Sequence, residues 1–256
     1  MPDQQTLDLL LEELTPLTWE ERLIALGNHR DLDIRFSSSF SYEDQAMTHV
    51  IATHDLPVNV FTLDTGRLFE ETYDVISATE KKYPALQISA YFPDSVGTQN
   101  LVTTQGINGF RDSVEKRKKC CFIRKVEPLN RALNGADIWI SGLRREHSDN
   151  RGDLPVAELD EGRGIIKLYP LIDVAEGTIK PYIKHHDIPY NLLHDKGYPS
   201  IGCAPCTRAI SAGEHPRAGR WWWEQEDAQE CGLHMVNGRL VRTKDLTEKE
   251  KQQYAQ

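Results

Sequence analysis

The chain has 256 residues, 39% of them hydrophobic and 27% charged, with a formal net charge of -9. That mixture excludes a disordered chain and a small disulfide-stapled scaffold, and the net acidity argues against general nucleic-acid binding. No run of roughly 18 apolar residues occurs, and the first residues carry neither a basic region nor an apolar stretch, so no membrane span and no secretory leader are expected and the cytoplasm is the default location.

Residues 5–14 read as a short amphipathic helix, and a second helix is expected to start at Thr18, where Glu21 completes a capping box. Residues 33–36 read as a strand. The loop Ser37, Ser38, Ser39, Phe40, Ser41 follows, then a helix over 43–54 with Ala46, Met47, Val50 and Ile51 on one side. An apolar strand over 57–63 ends at Asp64-Thr65-Gly66, before a helix over 68–83 and a strand over 86–91. Residues 136–141 make another strand, ending at Gly142. Residues 165–172 read as one more strand and 177–185 as a helix. From Gly197 onward irregular structure with short helices is expected, and the charged stretch 244–256 reads as frayed. Strands alternating with helices predict right-handed crossovers and an α/β fold with a mostly parallel sheet. Its carboxyl-end loops, 37–41, 64–67 and 142–151, would line the crevice where open α/β sheets bind ligands.

The serine loop sits at a strand-to-helix turn, where small hydroxyl side chains and helix N-terminal amides suit an anion; helix capping is its plainer reading, and Glu43 and Asp44 would satisfy the helix dipole. It is not a Walker loop, since no Gly-Lys-Ser/Thr follows. In the next loop, Gly66 would admit a close approach and Arg67 would be available to an anion, against the plainer reading of a turn and a capped helix. From Arg111 to Arg151, eleven Lys or Arg face six Asp or Glu, a local basic field suited to a small anionic ligand.

All five cysteines fall in three places: Cys120-Cys121, Cys203-Ala204-Pro205-Cys206 and Cys231. An odd number, two of them adjacent, fits a reducing compartment better than a disulfide framework. Alone, the Cys-x-x-Cys suits a zinc half-site, a dithiol or half of an iron–sulfur site. Cys120 and Cys121 are the local pair able to complete it. On a helix they diverge by about 100°, which favours the separated corners of a [4Fe–4S] cluster over one zinc ion. The run Lys116 to Lys119, with Arg124 and Lys125, would offset the cluster's negative charge. If the cluster holds its ligand loops, cluster-free protein is expected to loosen around both pairs. Cys231, next to Gly232 and three residues before His234, is a candidate reactive thiol, inert burial being the alternative. The Trp221-Trp222-Trp223 run reads as packing that fixes the tail to the body, a docking surface for a partner being the alternative.

These motifs together resemble the assimilatory adenylyl-sulfate (APS) reductases of the PAPS reductase family. The most specific marks are Cys120-Cys121-Phe122-Ile123-Arg124-Lys125, Gly202-Cys203-Ala204-Pro205-Cys206-Thr207-Arg208, Gly219-Arg220-Trp221-Trp222-Trp223-Glu224 and Glu230-Cys231-Gly232-Leu233-His234. The resemblance covers roughly residues 33–240. It implies an adenine-nucleotide α-hydrolase-like fold, akin to PP-loop pyrophosphatases. It also implies a nucleotide- and cluster-binding body over 1–220 and a tail over 221–256 with the catalytic cysteine.

By the same resemblance, Cys120, Cys121, Cys203 and Cys206 ligate one [4Fe–4S] cluster and Cys231 is the nucleophile. Lys125, Arg217, Arg220 and His234 look like the sulfate-side residues. Ser37, Ser38, Ser39, Phe40 and Ser41 match the modified phosphate loop, and Leu63, Asp64, Gly66 and Arg67 match the next substrate segment. Gly142, Arg144, Arg145 and Arg151 match the arginine-rich loop. Some relatives carry glycine at the end of the phosphate loop, where this chain has Ser41 followed by Tyr42. The implied activity is thioredoxin-dependent reduction of APS to sulfite and AMP, in sulfate assimilation toward cysteine. No thioredoxin-like domain lies within the 256 residues, so a separate thioredoxin or similar dithiol protein is the expected partner, and a homo-oligomer is expected. The alternatives are PAPS reduction, a nucleotide-activating sulfurtransferase, and a non-enzymatic cluster redox sensor. The sulfurtransferase reading lacks its usual Ser-Gly-Gly-x-Asp-Ser loop here, and the sensor reading lacks a DNA-reading motif.

Overall fold

The computed structural model describes residues 2–145, 154–175 and 177–224, together with the backbone of 234–236 and 239–241. The described chain begins with helices α1 (Gln4–Leu14) and α2 (Trp19–Ala25). Asp3 caps α1, and Thr18 with Glu21 forms the expected capping box on α2. Then come β1 (Ile34–Ser37), α3 (Tyr42–Thr53), β2 (Val58–Leu63), α4 (Glu70–Lys82) and β3 (Ile88–Tyr91), each shifted from its sequence-based bounds by two residues or fewer at most ends. After β3 follow α5 (Ser95–Gln105) and α6 (Val114–Cys121), a π-helical turn (Phe122–Val126) and α7 (Glu127–Ala132). The chain continues through β4 (Ile138–Ile140), β5 (Ala157–Asp160), β6 (Ile165–Leu168) and α8 (Ile179–His185). A separate two-stranded hairpin pairs β7 (His234–Val236) with β8 (Arg239–Val241).

The main sheet has the order β3-β2-β1-β4-β6-β5. Every neighbouring pair is parallel except β5 with β6. From β1 the chain winds outward through β2 and β3, then returns to place β4 on the other side of β1. Between β1 and β4 lies the topological switch point, and a ligand crevice is expected at their carboxyl ends.

Alternation sorts the strand residues onto two faces. Ile34 and Phe36 of β1, Ile138 and Ile140 of β4, and Ile166 and Leu168 of β6 are buried on one face against α1, α2, α3 and α8, with Leu10, Leu14, Leu23, Met47 and Ile183 completing that core. On the opposite face a smaller core joins Phe61 and Ile165 to Ala132 and Leu133 at the end of α7.

Four elements depart from the sequence reading. The strand expected over 165–172 ends at Leu168, because Tyr169 and Ile172 turn into a bend that still buries Leu171 and Ile172. The antiparallel β5 and the helix α5 have no strong pattern of their own: α5 buries only Leu101. The helix bearing Cys120 and Cys121 does not run on as α-helix, because the π turn intervenes directly after Cys121. The expectation for residues 244–256 lies outside the described residues.

Candidate active site

The serine loop is built around a carboxylate. Ser38 N–H donates to Phe61 O (2.8 Å), tying the loop to β2, and Phe40 N–H donates to Ser38 Oγ. Both the amide and the hydroxyl of Ser39 donate to Asp44 Oδ2, each at 2.6 Å. Ser41 caps α3 by accepting from Asp44 N–H. Ser37 Oγ accepts from Trp139 Nε1 (2.8 Å). Phe40 has φ of 58° and a side chain buried in the core, so the loop spends backbone strain to turn between the serines. Burial pushes the Asp44 carboxyl up to about 6, against the Ser39 hydrogen bonds that favour its ionised form.

Gly142, just past β4, packs on this carboxylate: a Cβ there would lie 2.3 Å from Asp44 Oδ1. Arg144, itself buried, donates from Nε to Glu43 Oε1 at 3.1 Å. Arg145 is fixed by its own N–H to Ile172 O and by its guanidinium to Leu154 O. The loops after β1 and β4 therefore meet through Asp44 and Glu43, the two acids that sequence reasoning assigned only to the helix dipole. The position where some relatives carry glycine needs none, since Ser41 is extended (φ -66°). Tyr42 stacks on His194 with ring centroids 4.2 Å apart.

The loop after β2 faces the cysteines. Asp64 accepts from Gly66 N–H (2.7 Å) and from the Tyr73 hydroxyl, closing a tight turn in which Gly66 has φ of 70°. Leu63 ends β2 beside Tyr91 of β3. Thr65 Oγ1 lies 3.2 Å from Cys203 Sγ, and Arg67 O accepts from Ala204 N–H (2.8 Å). The Arg67 guanidinium is engaged by Ile107 O and Asn108 Oδ1 and lies over the Phe110 ring. Arg124, in the π turn, donates to Thr65 O (2.7 Å).

Cys120, Cys121, Cys203 and Cys206 are half-buried, and none is in a disulfide. Burial pushes the Cys206 thiol up to about 12, with added contributions from the charges of Cys203, Cys121 and Cys120 and an opposing one from Arg220. Burial also raises Cys120, against the cations Arg124 and Arg67. The four thiols thus share one electrostatic neighbourhood. Among the described residues, no three His, Cys, Asp or Glu side chains converge as ligands of a single metal ion. Four thiols make a soft donor set of the kind that takes zinc or an iron–sulfur cluster.

Of the sulfate-side candidates, Lys125 is exposed in the π turn. Arg220 packs against Gly202, where a Cβ would lie 2.3 Å from its Nη2, and over the Trp221 ring at 5.0 Å. Arg217 N–H donates to His215 Nδ1. His234 opens β7, where only the backbone is described. Cys231 and Arg151 lie outside the described residues. Asp44 is a site residue that sequence reasoning assigned only to the helix dipole, although the acid five positions after Ser39 was a signal. Thr65 was expected in the ligand loop and Arg124 beside the cysteines, but not their direct contact.

Residues 33–209 match the family model described as the phosphoadenosine phosphosulfate reductase domain. The chain is 48% identical over 218 residues to the adenosine 5'-phosphosulfate reductase of Neisseria meningitidis serogroup A, covering 85% of this chain and 88% of that one. It is 49% identical over 206 residues to the adenosine 5'-phosphosulfate reductase of Allochromatium vinosum, covering 80% of each. Among solved structures, the phosphoadenylyl-sulfate reductase of Candida auris superimposes with a TM-score of 0.69 at 26% identity, covering 82% of this chain and 98% of that one. Yeast FAD synthetase shares the fold at a TM-score of 0.50 and 14% identity, over 82% of this chain and 70% of that one.

Proposed function

Because the chain belongs to the phosphoadenosine phosphosulfate reductase domain family, we propose that it reduces adenylyl sulfate to sulfite and AMP, in sulfate assimilation toward cysteine. The observation that carries this reading is the likeness to adenosine 5'-phosphosulfate reductases over most of both chains, joined to the gathering of Cys120, Cys121, Cys203 and Cys206 in one neighbourhood. Residues 1–220 serve as the nucleotide- and cluster-binding body and 221–256 as the tail with the nucleophile.

The Cys231 thiolate attacks the sulfur of APS. The S–O bond to the phosphate breaks, AMP leaves with the electron pair, and an S-sulfocysteine forms. A thiolate of thioredoxin or a similar dithiol protein then attacks Cys231 Sγ. Sulfite departs with the bonding pair, and the second thiol of the reductant resolves the mixed disulfide, returning Cys231 to its thiol form. The two electrons come from the dithiol. A thiolate approaching a sulfate ester meets strong repulsion, which Lys125, Arg217, Arg220 and His234 offset. The serine loop and an arginine from Arg144, Arg145 or Arg151 position the nucleotide, with Leu63, Asp64, Gly66 and Arg67 along its other side. Cys120, Cys121, Cys203 and Cys206 would hold a [4Fe–4S] cluster, which when bound supplies a fixed charge beside the sulfate-side cations.

The test is mass spectrometry of anaerobically purified protein incubated with APS or PAPS without reductant. A sulfonate adduct on Cys231, released as sulfite by thioredoxin, is expected, and the faster of the two substrates sets the preference. No adduct from either nucleotide would overturn the reading.

A further inference from the structure

Two cysteine pairs separated by some eighty residues of sequence reach each other through a small set of buried contacts. Arg117 lies one helical turn before Cys120 on α6 and is 1% exposed. Its Nε and Nη2 each donate to a carboxylate oxygen of Glu224 at 2.8 Å, and the Glu224 side chain is 3% exposed. The same guanidinium lies 4.3 Å from the ring centroid of Trp221, itself buried. Trp221 N–H donates to Cys206 O (3.1 Å), and Glu224 N–H donates to Trp221 O. The bulky Trp221 is held at φ of 44°, a left-handed conformation that non-glycine residues adopt only where surrounding structure enforces it. A second tie runs in parallel: Arg111 donates from Nη2 to Pro205 O (2.9 Å), inside the Cys-x-x-Cys turn, and lies against the Trp222 and Trp223 rings.

We infer that Arg117, Trp221 and Glu224 form a buried cross-brace that sets the spacing of Cys120-Cys121 relative to Cys203 and Cys206 before any cluster binds. This rests on the reading that these four thiols are the cluster ligands. It reverses the expectation that cluster-free protein loosens around both pairs. Metal sites are usually assembled by the metal, but here buried protein contacts also link the two ligand segments. Arg117 and Glu224 are positioning residues, acting through the two cysteine segments they join. The bidentate geometry matters, because a planar guanidinium clamped at two oxygens and stacked on a ring fixes orientation as well as distance.

The test uses full-length protein prepared without cluster, and oxidises its thiols with diamide. Each disulfide gives two electrons and two protons to the diazene. Peptide mapping then separates disulfides between the pairs from the local Cys203–Cys206 disulfide. In Glu224→Gln, disulfides between the pairs are expected to form about tenfold more slowly, as the effective concentration of one pair at the other falls, while the local disulfide forms at the wild-type rate. Reconstituted cluster should also be lost faster to a chelator. A merely structural role would lower the melting temperature without changing the ratio of the two disulfide classes. Breaking one half of a buried ion pair can prevent folding, whereas replacing both halves with apolar groups is often tolerated. The Arg117→Met/Glu224→Leu double variant is therefore run alongside and read by the same ratio. A wild-type ratio in a folded variant overturns the brace. Failure of wild-type protein to take up iron and sulfide overturns the cluster reading instead, and the disulfide ratio still judges the brace.

Discussion

Thr65 Oγ1 lies 3.2 Å from Cys203 Sγ, so the loop that closes β2 touches the Cys-x-x-Cys turn directly. Thr65 O also receives the Arg124 guanidinium, so one residue joins the loop after β2 to both cysteine segments. Thr65→Val removes the hydroxyl at nearly constant volume. Losing a hydrogen bond of ~1.5 kcal/mol corresponds to about a tenfold fall in kcat/KM for APS, with faster bleaching of the visible absorption in air. Thr65→Ser should stay near wild type. Equal rates for Val and Thr would show that the contact is incidental.

Asp44 makes stability depend on pH with a defined sign. Its carboxyl, raised by burial to about 6, sits above its ordinary value of 3.8. The folded protein therefore keeps a proton that the unfolded chain has released, and this group's contribution to stability is full below about pH 4 and lost as pH rises through about 6. Because Ser39 places both of its bonds on one oxygen, an asparagine can accept both. Asp44→Asn should flatten that slope, so thermal melts of variant and wild type diverge between roughly pH 4 and pH 7 in the variant's favour. Asp44→Ala removes the acceptor that both Ser39 donors share and should melt lower throughout.

Gly142→Ala tests the junction of the two loops at the switch point. The added Cβ would meet Asp44 Oδ1 at 2.3 Å and Met47 Cε at 3.2 Å, so the Asp44 carboxylate must move off its place. A destabilisation of about 1–3 kcal/mol is expected for such overpacking. Calorimetry should also show weaker binding of AMP. Unchanged AMP affinity would place the nucleotide away from this loop.

Arg220→Lys separates charge from shape. Lysine keeps the positive charge near Cys206 but loses the planar contact with Trp221 and the fit against Gly202. A loss of about tenfold in kcat, larger than any change in KM, is expected if the guanidinium plane positions the sulfate. An equal rate with lysine would reduce its role to charge alone.

Much of the parallel sheet was legible in the sequence because β1, β2 and β4 are apolar runs bounded by turn residues, and Thr18 with Glu21 announces α2 without tertiary context. The cysteine segments and the serine loop were equally plain. Asp44 was not, since a carboxylate in a first helical turn satisfies the dipole in most helices, and only the fold of the loop brings Ser39 back onto it. Helix α5 escaped because it buries little more than Leu101, leaving no periodic signal. Arg117 looked like one more cation in the run from Lys116 to Lys119; its burial depends on Glu224, more than a hundred residues away.

The π turn after Cys121 bears on how this segment can change. A π turn amounts to one residue added to an α-helix, and each residue of an α-helix turns the chain by about 100°. The stretch is in effect a register adjuster, letting the cysteines keep their angle while α7 keeps its own against Phe61. Removing a single residue from Phe122–Val126 would leave a smoother helix and a worse protein, with one of the two faces rotated out of place. Insertions and deletions here are therefore constrained by phase rather than by length.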